Sequence, residues 1–538
     1  MATPRNLAQE DQALEDHAQD DKAQLRAAGI SHQEAQRQLR LLSSPPSPAR
    51  LLRPCTAGDG ILTLSPDLQA ESLETFTVAQ KKGRVTKFVP ASGAASRMFG
   101  ALLPYLESSE SPRLEDSTLE TLSASPEAIS GDSEPLLQFF RELPRFAFFR
   151  PLRTALEERG IHPSVPSSAW PLLETLRTLF LPEGLGYAQL PKGLIPFHDY
   201  PEDPRTAFEE HLQEGAAYAR DESGRCRLHF TVGATATSRF KDLEERVRKT
   251  LADTHLPQGS SPEFEIEYSI QSRATDTLAL DGQGRPFRLP NGELLLRPGG
   301  HGSLLRNLQG IGGDLVFIKN IDNVAPDSAR AATVRWKQIL GGYLVSLQRK
   351  IFDCLERWET TPSAMEEGLE LLVSHLGLNP KEIPVKEHRD RFCRSLLDRP
   401  LRVCGVVVNA GEPGGGPFWV SNGDGSSSKQ IIEMAQVDTD ADDQRKIVDA
   451  ATHFNPVDLV CGLRNWRGEP FSLTEFSDPN TAFVAAKNHQ GQPLTALEHP
   501  GLWNGAMAHW NTVFIEVPAS TFTPVKTVFD LLRQEHQD

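Results

Sequence analysis

The chain has 538 residues, with 72 Asp and Glu against 56 Lys and Arg, for a formal net charge of −16. Phosphate backbones and anionic membranes reward clustered Lys and Arg, so this balance argues against a broad nucleic-acid or membrane surface; a local basic pocket for one phosphorylated small molecule stays compatible with it. The length accommodates two or more domains, or one large domain with insertions.

Residues 8–42, rich in Ala, Gln, Leu and charge, predict helix, with Ser31 placed to cap SHQEAQRQL. The proline-rich SSPPSPARLLRP (43–54) breaks that run, and residues 1–80 are expected to form a helical arm or lobe. GRVTKFVPASGAASRMFG (83–100) reads as a strand, a small-residue loop and a helix. From about 105 to 185, apolar-periodic segments such as PLLETLRTLF predict an inserted helical unit. RLHFTVGA (227–234), FKDLEERVRKTLADT (240–254) and EFEIEYSIQ (263–271) then alternate strand, helix and strand, and DLVFIKNID (314–322) adds another strand. Residues 327–359 read as a long helix interrupted or bent near Gly341 and Gly342, and 360–398 as a second helical insertion. LRVCGVVVN (401–409), SKQIIEMAQV (428–437) and NTVFIEVP (511–518) resume the strands. The rhythm predicts an α/β fold, a mixed and mostly parallel sheet flanked by helices. Its main domain would span 81–500, followed by a C-terminal segment, 501–538.

The six cysteines (55, 226, 354, 393, 404, 461) show no CxxC pair and no zinc spacing, the pattern of reduced thiols in a cytosolic protein. The N-terminal stretch has no apolar signal core, and no segment approaches the roughly eighteen consecutive apolar residues of a span, so a cytoplasmic protein with no membrane span is expected.

Several short stretches could carry chemistry. In ASGAASRM (91–98), Ala91, Ser92, Gly93 and Ser96 would let backbone N–H groups approach phosphates, and Arg97 would add a charge-assisted clamp; a plain tight turn fits the same residues. Lys192 stands between Pro191 and Gly193, where a solvated lysine is equally at home. The turn RPGGHG (297–302), with Gly300, His301 and Gly302, could bring main chain against a base or a sugar. Asp322 is more informative, because a carboxylate at the carboxyl end of a parallel strand lies where α/β folds bind ligands, and such an Asp commonly holds Mg²⁺ on substrate phosphates. DTDADD (438–443) imitates a DxD metal motif, although acidic runs are usually solvated loops.

In this order the pieces resemble the UDP-sugar pyrophosphorylases and, within them, a bacterial branch described as a domain of unknown function. ASGAASRM is similar to that family's phosphate loop, with Arg97 at the motif's arginine, and PKG (191–193) to its P-K-G. Gln271 resembles the glutamine ahead of the acceptor region, and PGGHG resembles P-x-G-[HN]-G. NIDNV matches N-x-D-N, IIEMAQ looks like L-L-E-x-A-Q through Glu433, FNPVDLV like F-N-T-N-N-L-W through Asn455, and TFTPVKTVFDLL places Lys526 at the family's P-V-K.

The resemblance implies a nucleotidyltransferase of GT-A-like fold that takes a nucleoside triphosphate, UTP first, and a sugar-1-phosphate. It implies Mg²⁺ on Asp322, phosphate neutralisation by Arg97, Lys192 and Lys526, base recognition by Gln271 and the 300–302 turn, and sugar hydroxyls on Glu433 and Asn455. Two departures stand out. Ala95 occupies a family glycine position, restricting positive φ, and NPVD replaces N-T-N-N, offering Asp458 as a second metal ligand. A GT-A-type glycosyltransferase using an NDP-sugar, with DTDADD as its best support, and a non-catalytic sugar-nucleotide-binding protein are the alternatives. The sugar and the oligomeric state are not legible.

Overall fold

The computed structural model describes residues 19–107, 134–162, 171–253, 262–411 and 414–537. The expected helical residues before 19, and the parts of the first insertion at 108–133 and 163–170, lie outside the described residues. The chain is α/β, with a large mixed, mostly parallel sheet and flanking helices. It divides into two compact units: one of residues 1–68, 270–315 and 343–516, the other of 69–269, 316–342 and 517–538.

The second unit carries the strands Leu315–Lys319, Val85–Pro90, Arg225–Val232 and Glu263–Ile270, side by side in that order. Val85–Pro90 and Arg225–Val232 run parallel, with Phe88 opposite His229. Every residue of LVFIK (315–319) is buried, as expected of a parallel strand covered on both faces. Helix Ala207–Tyr218 starts at a capping box in which Thr206 and Glu209 satisfy each other's backbone N–H groups. The first insertion contributes the helices Glu134–Glu142, Phe149–Glu158 and Leu172–Phe180, whose apolar faces close over an aromatic cluster of Phe99, Phe139, Phe146, Phe148 and Phe180.

Charge is buried in this core. Lys87 and Lys319, on neighbouring strands, hold the two carboxylate oxygens of Glu214 at 3.0 and 2.7 Å. Lys337, fully buried as well, lies over the rings of Phe317 and Tyr218 at 5.6 and 5.9 Å. Two ammonium groups thus hold one buried carboxylate, with the charge of Lys337 acting on it from nearby.

In the first unit the strands Thr56–Ala57, Gly60–Leu62, Asn511–Glu516, Leu401–Val408 and His453–Gly462 lie in that order, parallel except for the last pair. Leu51–Pro54, Gly416–Ser421 and Ser427–Ile432 form an antiparallel sheet, and Ala279–Leu280, Gln492–Glu498 and Phe483–His489 another. Residues 51–62, expected within a helical arm, are therefore strands, because the breaker prolines release the chain to pair with 416–421 and 511–516. The helix His32–Ser43 does start at Ser31, whose hydroxyl accepts the Glu34 N–H at 3.1 Å.

Two local expectations are corrected. The long helix runs unbroken from Arg330 to Arg357. Gly341 and Gly342 serve close packing there: a Cβ on Gly342 would lie 1.7 Å from the Ser72 carbonyl oxygen, and one on Gly341 2.7 Å from the Phe76 ring. The helix expected after ASGAA shrinks to a 3-10 turn, Ala95–Arg97, because the loop pairs instead with residues 190–193.

Candidate functional site

Four of the sequence motifs meet within the second unit, and backbone hydrogen bonds tie them together. Ala95 N–H donates to Leu190 O at 2.9 Å and Lys192 N–H to Gly93 O at 3.0 Å, which lays the 91–98 loop along the PKG turn. Val528 N–H donates to Met98 O, and Val525 N–H to Asp322 O, each at 2.9 Å, so the C-terminal segment spans the loop and the strand-end aspartate. Asn323 reinforces this, its amide oxygen accepting the Thr523 N–H at 3.1 Å.

At the junction, Lys192 Nζ donates to Asp322 Oδ2 and to Val525 O, both at 2.9 Å, and Lys526 Nζ reaches the same Oδ2 at 3.4 Å. Asp322 and Lys192 are buried, whereas the Lys526 side chain is 53% exposed. The Lys526 backbone is fixed all the same: its N–H and that of Thr527 both donate to Asp530 Oδ2 at 2.7 Å. Burial alone would raise the Asp322 carboxyl, but the charges of Lys526 and Lys192 hold it below the usual carboxylate range. Its other oxygen, Oδ1, is buried with no hydrogen-bond partner. An orphaned acceptor beside one anchored and one half-exposed ammonium group is a poor resting state for a structural ion pair and a good one for a cation-and-phosphate site.

Arg97 is exposed on the same loop and makes no ion pair among the described residues. Ala91 is buried, its N–H on Thr231 O, while Ser92 and Gly93 are exposed and Ser96 is partly so. Ala95 sits in the 3-10 turn and is absent from the positive-φ positions, so its Cβ is compatible with the loop.

Within the first unit, the glycine turn is built against the 498–503 loop. Gly300 has φ +77°, and a Cβ there would meet Glu498 Oε2 at 2.8 Å; one on Gly302 would overlap the Pro500 carbonyl oxygen at 2.0 Å. His301 stacks on Trp503, with centroids 4.2 Å apart and planes 18° from parallel. Its Nδ1 accepts the Leu502 N–H at 3.0 Å, and its Nε2 lies 3.4 Å from Glu433 Oε1. Gly415 links Glu433 to Asn455: its Cβ position is 3.3 Å from Glu433 Cγ, and its carbonyl accepts the Asn455 N–H at 2.8 Å. The structure thus brings His301, Glu433 and Asn455 into one neighbourhood. Gln271 is half-buried just beyond the strand Glu263–Ile270.

NPVD carries backbone strain. Asn455 Oδ1 accepts the Val457 N–H at 2.6 Å, and Val457 adopts φ +58°, which a β-branched residue resists, at a register shift between the 401–408 and 453–462 strands. Asp458 follows, buried opposite Gly405. No cluster of three or more His, Cys, Asp or Glu suited to a metal occurs among the described residues. Mg²⁺ needs no such cage, since it keeps its waters and binds through one or two carboxylates plus phosphates, and the partnerless Asp322 Oδ1 fits that demand.

DTDADD is surface: Asp438 accepts the Asp440 N–H, and Asp442 and Asp443 open the helix Asp442–Asp449, where carboxylates favour the positive end of the helix dipole. The cysteines are all free and buried, with the Cys55 and Cys226 thiols pushed up to about 12 and Cys404 to about 11 by desolvation, so they are unreactive. No helix of the described residues is long and apolar enough to cross a membrane.

Sequence reasoning missed the Val525 carbonyl, the Asp530 cap and the Trp503 stack. HPGLWNG (499–505), with a proline, two glycines and a tryptophan, was the available signal for the last.

No curated protein matches the chain. Among solved structures it is similar to a UDP-N-acetylglucosamine pyrophosphorylase from Trypanosoma brucei in complex with inhibitor, at 13% identity over 93% of this chain and 74% of that one, TM-score 0.44. It is similar to the S374W mutant of UDP-glucose pyrophosphorylase from Leishmania major in complex with UDP-glucose, at 12% identity over 96% and 78%, TM-score 0.42. Residues 18–537 match the family described as a domain of unknown function, DUF4301, and the chain belongs to that family.

Proposed function

We propose that the protein is a nucleotidyltransferase that joins a sugar-1-phosphate to a nucleoside triphosphate, UTP first among candidates, giving an NDP-sugar and pyrophosphate. The observation that carries this reading is the convergence of Lys192 and Lys526 on one oxygen of a buried aspartate whose other oxygen has no partner. An unassisted phosphoryl-group exchange fails for want of positioning and charge neutralisation, which such a constellation offers.

In the proposed reaction a sugar-phosphate oxygen forms a bond to the α-phosphorus as the α–β phosphoanhydride bond breaks, and pyrophosphate leaves with the bonding electrons. Asp322 would hold Mg²⁺, which supplies Lewis-acid neutralisation of the phosphates. Lys526, fixed at its backbone by Asp530 and half-exposed along its side chain, would turn from Asp322 to the attacking phosphate. Lys192, anchored on Val525 O, and Arg97, exposed on the 91–98 loop, neutralise the departing β- and γ-phosphates. Gln271 and the 300–302 turn take the base, and Glu433 and Asn455 the sugar.

Incubation with Mg²⁺, UTP and a panel of sugar-1-phosphates tests the reading through pyrophosphate release. A glycosyltransferase would release none and would instead consume UDP-sugar in the presence of an acceptor. Binding of UDP-sugar without either reaction would leave a sugar-nucleotide-binding protein.

A further inference from the structure

We propose that His301 is a positioning residue that aims the Glu433 carboxylate at a sugar hydroxyl and makes no contact with the nucleotide base. This inference rests on the nucleotidyltransferase reading and changes the role expected of the histidine in the glycine turn.

The argument starts from the ring's hydrogen bonds. A backbone N–H can only donate, so the Leu502 N–H at 3.0 Å makes Nδ1 an acceptor, and the proton of the neutral imidazole then resides on Nε2. Nε2 lies 3.4 Å from Glu433 Oε1, beside the carboxylate but longer than an ordinary hydrogen bond. The ring's surface is also occupied: Trp503 stacks on it, and a Cβ on Gly501 would lie 2.6 Å from His301 Cε1, so the main chain there passes close to the ring edge. Nδ1 is committed to Leu502 and one face of the ring to Trp503, so the remaining polar atom of His301 is Nε2, which lies beside Glu433.

Glu433 is the group left to act. Its side chain is 31% exposed, and a carboxylate offers about four lone-pair sites, so contact with His301 leaves acceptors for a hydroxyl donor. Its backbone is fixed separately, the N–H donating to Gln436 Oε1 at 3.0 Å. The supporting loop is anchored from below: the buried Arg402 guanidinium donates to Trp503 O at 2.6 Å and to Thr512 Oγ1 at 2.8 Å, and Asn504 Nδ2 donates to Ile431 O at 2.8 Å, two residues before Glu433. Trp503, His301 and Glu433 therefore form a chain in which each member orients the next. The ligand it suits is a hexose-type sugar presenting a hydroxyl as donor.

The test compares wild type, His301→Phe, which can keep the stack but loses the Leu502 hydrogen bond and the polar contact with Glu433, and His301→Gln, which can accept and donate in their place. Binding of UTP and of UDP-glucose and UDP-N-acetylglucosamine is measured by calorimetry, together with the KM values for UTP and for the two sugar-1-phosphates. The tautomer is read from the ¹⁵N shifts of His301 in the free wild-type protein. Losing a partly exposed polar contact with Glu433 should weaken UDP-sugar binding and raise the sugar-phosphate KM about fivefold in His301→Phe, with UTP affinity and KM changed less than about twofold and with recovery in His301→Gln. The ¹⁵N shifts should show Nε2 protonated and Nδ1 bare. Equal loss of UTP and UDP-sugar binding, loss of UTP alone, or a proton on Nδ1 overturns the proposal. If His301→Phe does not fold, His301→Gln and the tautomer decide it. Wild type that binds neither UTP nor UDP-sugar overturns the nucleotidyltransferase reading, a result distinct from one in which wild type binds both and the variant loses the wrong one.

Discussion

Lys87 is the buried group whose removal has the most readable consequence. Its strand position is fully buried, and desolvation, with Lys319 and Lys337 adding repulsion, outweighs the attraction of Glu214 and pulls its pKa from 10.5 to about 7. A difference of that size corresponds to about 5 kcal/mol. Below pH 7 both the folded and the unfolded chain hold this proton, and the penalty is present in full. Between pH 7 and 10.5 the folded chain has lost it while the unfolded chain retains it, so stability rises with pH. From pH 6 to pH 9 the gain is about 3 kcal/mol from this group. Lys87→Met deletes it and leaves Glu214 paired with Lys319 at 2.7 Å. The substitution should therefore be neutral or stabilising at pH 6, as replacement of buried charge by apolar atoms often is. The rise between pH 6 and 9 should shrink by about 3 kcal/mol. Because two units need not unfold together, the assay is hydrogen exchange of the peptides covering 85–90 and 315–319, corrected for intrinsic rates. Identical pH dependence in wild type and variant, or a loss of several kcal/mol at pH 6, would refute the reasoning.

The remaining predictions address the same unit. Glu214→Gln removes the carboxylate that pairs with the buried Lys87 and Lys319 and should cost about 3–5 kcal/mol, read as a lower unfolding midpoint; an unchanged midpoint would contradict the ion-pair assignment. Gly342→Ala places a methyl 1.7 Å from a carbonyl oxygen and should destabilise by more than the roughly 1 kcal/mol that alanine normally gains over glycine in a helix; a stabilised variant would disprove the close packing. Lys526→Ala removes a half-exposed side chain and leaves Lys192 on Asp322, so stability should fall by no more than about 1 kcal/mol while turnover falls about a hundredfold, the typical effect of losing one positioned charge. Turnover within a few-fold of wild type would remove Lys526 from the reaction.

What was legible in the sequence depended on whether a residue's role is local. The strands at 225–232, 263–270 and 401–408 and the Ser31 cap follow from short-range pattern. The grouping of Asp322, Lys192 and Lys526 was legible because strand ends and tight turns are where such folds place ligands, and because the motifs kept a recognisable order. The role of a glycine pair was not: Gly341 and Gly342 carry the same signal whether a helix bends or another chain segment presses on it, and only packing distinguishes the two. Nor could His301 be separated from its neighbours, because the Leu502 N–H, the Trp503 ring and Glu433 come from positions far along the chain. The three lysines around Glu214 were invisible for a related reason. A lysine in a strand, as at 87 and 319, or in a helix, as at 337, reads as an exposed position, and burial near a distant carboxylate is a tertiary event.

The central claim is that Asp322 and its two lysines handle the phosphates of a nucleotidyl transfer. The direct measurement is ³¹P NMR of UDP-glucose or UDP-N-acetylglucosamine with pyrophosphate and Mg²⁺, run in parallel with wild type and with Asp322→Asn of unchanged fold. Appearance of UTP and sugar-1-phosphate with wild type, and its near disappearance with Asp322→Asn, is the expected result. Conversion by Asp322→Asn at the wild-type rate, or none by wild type with either sugar nucleotide, would contradict the claim.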